Sequence, residues 1–430
     1  MNRVIVVGGG FAGLSTAVYL SENDFQVTLL EASPKLGGRA YSLSSKANND
    51  IYDNGQHILM GCYEETLAFL NKIEALDKLN FQHSLSIPFV HPNGSVYKLN
   101  SPKYLYPFNL LIGIMNYKVL SFKERFKIID FFLDLMCCAS CDLKNKTVAE
   151  WLSCKKQSEN SKKAFWEILV VGVMNTTIEK ASAEMFSDVL KAIFLNGNTS
   201  AAILLPSVGL TQLYVEDSMR FINKRNGVIK LSEKVVSFEI NKNEITKLVT
   251  NKNSYENFDY IVFTVPPYAL ERIFSESNEH FEPLKFHHSP IINVHFWLMQ
   301  NSFKEKFYGL IDSKIHWVFN HGSHISLTSS AAEELVLLED SEIKKLFSSE
   351  LEKYFPIFHK EIVTDSIVIK EKRATFVPDI ASNHVRNNFS YSTGKMMIAG
   401  DWINTGLPAT IESAVLSGKI AAGKVINSLK

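Results

Sequence analysis

The chain has 430 residues, with 45 Lys plus Arg balanced by 45 Asp plus Glu, and 46% of its residues are apolar. That length exceeds one ordinary core and suits two interleaved or sequential domains. The zero net charge offers no field to gather polyanions, which argues against nucleic acid as a partner, and five cysteines do not make a secreted disulfide framework, so a reducing cytoplasm is the simpler setting.

The first element is a buried strand over Arg3–Val7, a β-branched run that ends in glycines. Its apolar part is too short for the core of a signal peptide. Residues 12–23 then read as a helix with an apolar face of Leu14, Ala17, Val18 and Leu20, and Gln26–Leu30 reads as a second strand. This is a βαβ opening.

Further on, residues 63–79 and 122–141 have helical patterns, the second rich in Phe, Ile and Leu. Between them, residues 105–117 form the longest uncharged stretch; it falls short of the ~20 residues that span a bilayer, so the chain can lie on a membrane without crossing one. Residues 147–152, 161–173 and 182–194 continue the helical texture. Short strands follow at 227–231, 234–240 and 244–250, with an apolar strand at 259–265 that stops at Pro266-Pro267. Residues 295–299 and 325–327 suggest a separate sheet; residues 395–399 form another buried strand, and 408–426 a closing helix.

Gly8, Gly10 and Gly13 make a G-x-G-x-x-G between the first strand and the first helix. Gly8 permits the tight turn, Gly10 lets a pyrophosphate approach the backbone, and Gly13 lets the helix pack on the strand. The N–H groups around Ala12 face the phosphates with the positive end of the helix dipole. Glu31, followed by Ala32, closes the second strand where an acid accepts from the adenosine ribose hydroxyls. Gly37-Gly38-Arg39 follows within ten residues and suits a longer dinucleotide, FAD rather than NAD, because a planar, always-charged guanidinium matches phosphate and flavin oxygens. The matching half lies near residue 400. Gly400-Asp401 ends a buried strand and reaches the ribityl or pyrophosphate region; Leu407, Pro408 and Ala409 open the last helix toward the flavin pyrimidine edge, with Pro408 at its first position. Val236, beside Val235 on a middle strand, is a candidate for backbone contact with adenine.

At these residues the chain resembles the amine oxidase and phytoene desaturase superfamily of flavoproteins over nearly its whole length. A narrower resemblance, to the hydroxysqualene dehydroxylases (squalene-associated FAD-dependent desaturases), rests on the run from Asp53-Asn54-Gly55-Gln56-His57 to Tyr63, on Asn175-Thr176 with Ala181-Ser182-Ala183, and on Gly400-Asp401-Trp402 with the run from Gly406 to Val415. Residues 175–180 lack the proline-rich turn of that family, and 80–120 match it weakly and are expected to shape substrate access.

The resemblance implies an α/β fold in which a Rossmann-type FAD-binding domain (1–85, 205–265 and 390–430) is interleaved with a mixed α+β substrate domain (86–204 and 266–389). It implies reductive removal of a hydroxyl from hydroxysqualene, with hydride from reduced flavin N5. The partner is then an apolar C30 isoprenoid, and the helix at 122–141 offers a face for the inner side of the cytoplasmic membrane. Polyprenoid desaturation and amine oxidation are the alternatives on the same scaffold, and the electron donor is left open. Gly55, Gln56 and His57 are expected beside the flavin. His57 is the candidate acid, although a loop-holding role suits it at least as well. Asp53 before Asn-Gly suits a turn. Cys138 and Cys141 have C-x-x-C spacing next to Cys137, but lack two further zinc ligands at suitable spacing, so no metal is expected.

Overall fold

A computed structural model describes residues 2–45, 49–137, 143–242, 244–282, 284–358, 362–389 and 392–429. Cys138 and Cys141 lie outside the described residues.

Six strands from five distant stretches form the first sheet, in the order Val228–Lys230, Gln26–Leu30, Arg3–Val7, Tyr260–Phe263, Met396–Ile398, Ser392–Thr393. All neighbours are parallel except the last pair, which is antiparallel. A parallel sheet is covered on both faces, and the central strand shows it. Val4 and Val6 belong to the core beneath the helices Phe11–Glu22 and Ile411–Asn427, whereas Ile5 and Val7 belong to the opposite core with Phe238 and Phe274. The two-residue period of the strand makes that division. A three-stranded meander, Val235–Asn241, Glu244–Thr250 and Ser254–Tyr255, supplies Phe238 to that second core.

The helices Phe11–Glu22 and Ile411–Asn427 touch backbone to backbone. Ser15 Oγ donates to Val415 O at 2.9 Å and Thr16 Oγ1 to Gly418 O at 3.1 Å. A Cβ at Gly418 would stand 2.3 Å from Ala12 O, so the crossing requires glycine.

A second, seven-stranded sheet runs Val363–Phe376, His288–Leu298, His324–Ser329, Trp317–Asn320, Phe307–Leu310, Ser86–Val90, Val96–Asn100. The two short strands expected near 295 and 325 are thus the middle of this larger sheet. One face of His288–Leu298 (Ile292, Val294, Phe296) joins the core under helix Asp340–Tyr354; the other carries Asn293, His295 and Trp297 toward residues 50–55. A helical layer of Asn109–Asn116, Phe122–Cys137, Val148–Cys154, Glu167–Met174 and Ala183–Phe194 packs around Trp166, whose ring centroid lies 4.4 Å from that of Phe131.

Three expected elements are corrected. The helix expected over 63–79 is only Glu64–Lys72, because Glu74 takes φ 62° and Ala75 N–H returns to Leu70 O; a short 3-10 turn and the strand Leu79–Phe81 follow. The helix expected over 161–173 contains a π-turn at Lys162–Trp166 before Glu167–Met174. The closing helix begins at Ile411, not Pro408: the Thr410 hydroxyl accepts from Ser413 N and sets the start, so Pro408 lies in the preceding loop.

Candidate active site and nucleotide cradle

The structure brings the glycine turns together. Gly8 has φ 107° and its N–H bonds Leu30 O, which makes the sharp exit from the strand. A Cβ at Gly13 would lie 1.9 Å from Gly8 O. Gly10 is the N-cap of the first helix, and no side chain caps it. The N–H groups of that first turn, Ala12 and Gly13 among them, therefore lack the side-chain acceptor most helices supply and suit an anion.

The second turn docks directly on the first. Gly37 N–H donates to Gly9 O at 2.9 Å, and a Cβ at Gly38 would sit 3.1 Å from Gly10 Cα. Gly37 and Gly38 both have positive φ, 115° and 58°. Tyr214, fully buried, donates from its hydroxyl toward Gly37 O (2.8 Å) and Ala40 O (2.7 Å), while its ring stacks on Phe11 at 3.7 Å. Nothing local in the sequence signals this brace.

Glu31 follows the second strand immediately. One carboxylate oxygen accepts from Gly9 N and the other from Ser33 N, each at 2.7 Å, and the group remains half-buried with acceptor capacity to spare. Ala32 beside it is exposed. In the meander the pairing of Val235 with Thr250 and of Ser237 with Val249 skips Val236, so the strand bulges at that residue.

Arg39 donates to Asp401 Oδ1 at 2.6 Å and to Ala374 O at 3.0 Å. Asp401, buried, holds the guanidinium firmly in its charged form. Gly400 has φ 155°, and a Cβ there would strike the Trp402 indole at 2.5 Å. Around this ion pair opens a cleft lined also by Pro266, Tyr268, His288, Arg373 and Trp402. Arg373 lies over the Tyr268 ring at 4.8 Å. Burial first, and then Arg373 and Arg39, lower the pKa of His288.

The segment 53–57 is fixed from both sheets. Asn54, 1% exposed, accepts from Tyr41 N, donates to Arg39 O and Glu371 Oε1, and receives Asn293 Nδ2 on its carbonyl. Both side-chain N–H groups and the side-chain oxygen are engaged, and the backbone carbonyl adds a fourth bond, which makes the join rigid. A Cβ at Gly55 would meet Asn293 Nδ2 at 3.0 Å, so Asn293, bonded to Asn54 O, would have to give way by a few tenths of an ångström. His57 Nδ1 lies 2.7 Å from Gly55 O, so that nitrogen bears the proton. Burial lowers the pKa of His57, which opposes the protonated ring that an acid needs. Gln56, half-buried, lies between them. Asp53 accepts from Ser42 Oγ and Leu210 N; burial nevertheless raises its pKa to about 6. Leu407, Pro408 and Ala409 line the loop before the last helix, with Leu407 O accepting from Arg386.

A parallel sheet with a bare helix N-terminus, an acid after its second strand, and a late strand and helix returning beside the first is the frame of an FAD-binding oxidoreductase. The family model described as flavin containing amine oxidoreductase matches residues 11–426. Hydroxysqualene dehydroxylase of Zymomonas mobilis is 25% identical over 98% of this chain and 98% of its own length. The 15-cis-phytoene desaturase of an Oncidium hybrid is 25% identical over 99% of this chain and 78% of its own length. A solved putrescine oxidase, a triple mutant made in a redesign of cofactor binding, superposes with TM-score 0.74 at 14% identity, covering 99% of each chain, which shows a shared fold. The chain belongs to the flavin-containing amine oxidoreductase family and is an FAD-dependent oxidoreductase.

Proposed function

We propose that this chain removes the hydroxyl of hydroxysqualene reductively, R–OH + FADH2 → R–H + H2O + FAD, to give squalene. The observation that carries the reading is the match to hydroxysqualene dehydroxylase over 98% of both chains, whereas the phytoene desaturase of equal identity extends well beyond it.

In this reading the first sheet and its helices carry FAD and the seven-stranded sheet with the helical layer carries the substrate. The N–H groups at Gly10, Ala12 and Gly13, with the Gly37-Gly38-Arg39 turn, hold the pyrophosphate. Glu31 takes the ribose hydroxyls beside Ala32, and the backbone at Val236 meets adenine. Gly400 and Asp401 face the ribityl chain, Leu407, Pro408 and Ala409 the pyrimidine edge, and Gly55, Gln56 and His57 the reactive side. Bound and reduced, FAD supplies two electrons and a hydrogen at N5.

The chain's own residues do the rest. Hydroxide leaves poorly and needs a proton or a strong hydrogen bond. His57, held neutral by burial with its Nδ1 proton on Gly55 O, holds the loop rather than supplying that proton. Tyr268, Phe286 and Phe376 give the cleft aromatic walls suited to an apolar chain.

Substrate supply from a bilayer fits one further feature. Helix Phe122–Cys137 buries Ile128, Phe131, Phe132 and Leu135, yet Phe122, Phe126, Leu133 and Met136 are exposed at helical spacing on its other side. Among the described residues no helix is long and apolar enough to cross a membrane. The exposed stripe, on the face away from the core, reads as a surface that rests on lipid.

The test is anaerobic. The purified protein is reduced, hydroxysqualene is added, and flavin reoxidation and squalene are recorded together. Squalene formed in step with reoxidation supports the reading. No squalene, with oxidised protein dehydrogenating a polyprenoid instead, favours the desaturase alternative. Glu31→Ala is expected to lose FAD; unchanged flavin content overturns its ribose role.

A further inference from the structure

Arg386 is 2% exposed, on the helix Ile380–Asn388 whose start is capped by Asp379. Buried guanidinium groups are ordinarily paired with carboxylates, because an isolated buried charge is costly. Among the described residues no carboxylate lies within ion-pair distance of Arg386. It donates instead to three backbone carbonyls of one loop: Trp402 O at 3.2 Å, Ile403 O at 2.8 Å and Leu407 O at 2.6 Å. Its guanidinium lies over the Phe376 ring at 4.9 Å. Burial lowers its pKa to about 10, with Asp401 opposing, so the group stays charged at neutral pH.

The loop it grips joins Asp401 to the last helix. Asp401 is already engaged by Arg39, so Arg39, Asp401 and Arg386 together carry one surplus positive charge behind the residues that lead to the helix N-terminus. That N-terminus adds a positive dipole end of its own.

The geometry points to Arg386 as a positioning and potential-setting residue: it fixes the loop 402–407 and places a permanent positive charge where reduced, anionic flavin is favoured over oxidised flavin. The inference rests on the proposed placement of FAD along that loop. A charge in a water-poor setting acts strongly on a neighbouring change of charge. A flavin so held is reduced by a weaker electron donor, and in exchange has a smaller driving force for passing hydride on.

The test compares flavin midpoint potentials of the wild-type holoprotein, Arg386→Lys and Arg386→Gln. Arg386→Gln is expected to weaken binding of reduced relative to oxidised FAD by at least tenfold, a fall of ~30 mV for a two-electron couple. Arg386→Lys, which keeps the charge with fewer donors, is expected to hold a potential near wild type while releasing FAD faster. A Gln variant that retains FAD at an unchanged potential overturns the inference and leaves the FAD placement standing, as does a Lys variant that falls as far as Gln. Should neither variant fold, the wild-type potential is followed with pH. A slope of ~30 mV per pH unit down to about pH 6, one proton per two electrons, is expected; twice that slope overturns the inference. A wild-type protein that takes up no FAD would instead defeat the placement on which it rests.

Discussion

Arg39 and Asp401 stand 362 positions apart in the chain and form an ion pair of 2.6 Å. The pair fastens the second glycine turn to the strand that returns from the far half of the sequence, so each residue orients the other's backbone as well as its charge. Asp401→Asn keeps the shape and removes the charge. About tenfold weaker FAD binding is expected, the scale of one charge-assisted hydrogen bond. Titration of free FAD into stripped protein measures it. An unchanged affinity would reduce the pair to an ordinary surface contact, since the arginine is partly exposed.

The close crossing of the first and last helices makes a second expectation. Gly418→Ala places a methyl 2.3 Å from the Ala12 carbonyl, a backbone atom that cannot swing away. The helices must separate, at a cost of ~1–3 kcal/mol. A lower urea midpoint with an unchanged slope is the predicted result. Because Ala12 lies in the turn proposed to face the pyrophosphate, flavin retention should fall in the same variant. Gly423→Ala, in the same helix but with open space around it, serves as the control and should gain ~0.5–1 kcal/mol from helix propensity alone.

Stability should decline as the solution is made acidic. Burial, then the neighbouring His324 and His321, lowers the pKa of His295 to about 3; burial lowers that of His324 to about 4. Both rings are nearly inaccessible. In the unfolded chain they take protons near 6.5, so below that pH the unfolded state binds more protons and folding weakens until the folded rings titrate. Each ring contributes up to about 1.4 kcal/mol per pH unit in that window. Asp53 works the other way, because its folded pKa of about 6 lets the native state take a proton first. His316, lowered to about 4, and His321, lowered to about 3, act in the same sense as His295 and His324, while burial raises Glu167, Asp188 and Glu412 in the sense of Asp53; the four large ring shifts leave a net loss. Urea midpoints at pH 7 and pH 5 test this, and a variant carrying His295→Gln and His324→Gln should show a flatter dependence.

The exposed stripe on Phe122–Cys137 is expected to drive lipid contact. Substituting Phe122→Ser and Phe126→Ser together should lower co-flotation with neutral phosphatidylcholine vesicles severalfold while leaving flavin content unchanged. Equal flotation of variant and wild type would assign the stripe to another partner or to none.

How much of this was legible in the amino-acid order depends on how local the cause is. Gly8 requires glycine for its own φ of 107° and Gly13 for the nearby Gly8 O, and Glu31 follows its strand directly, so these can be read from spacing, whereas an added Cβ at Gly10 would meet only Gly38 Cα, at 3.8 Å. The last helix is visible by periodicity, but its start is not. Pro408 is a common opening residue, and only the Thr410 hydroxyl on Ser413 N decides the matter. Asn54 looks like a turn residue before glycine. Its role as a four-way join depends on Glu371 and Asn293, more than 230 positions away. Tyr214 and Arg386 have no local signature at all, since their partners are backbone carbonyls of distant loops. The strand Val363–Phe376 has no strand signature, because its residues are mostly half-buried and mixed in character, without the alternation that marks a sheet with one wet face.

The first sheet has a temporal consequence. Its central strand, Arg3–Val7, is made early, yet its neighbour Tyr260–Phe263 and the flanking Met396–Ile398 are synthesised much later, and the helix that covers Ala12 later still. A nascent polypeptide therefore carries its opening glycines uncovered through most of translation. On the proposed placement of FAD, colour acquired by the protein reports that residues near 400–420 have been made and docked, so absorbance at the flavin band doubles as an assay for correctly threaded molecules.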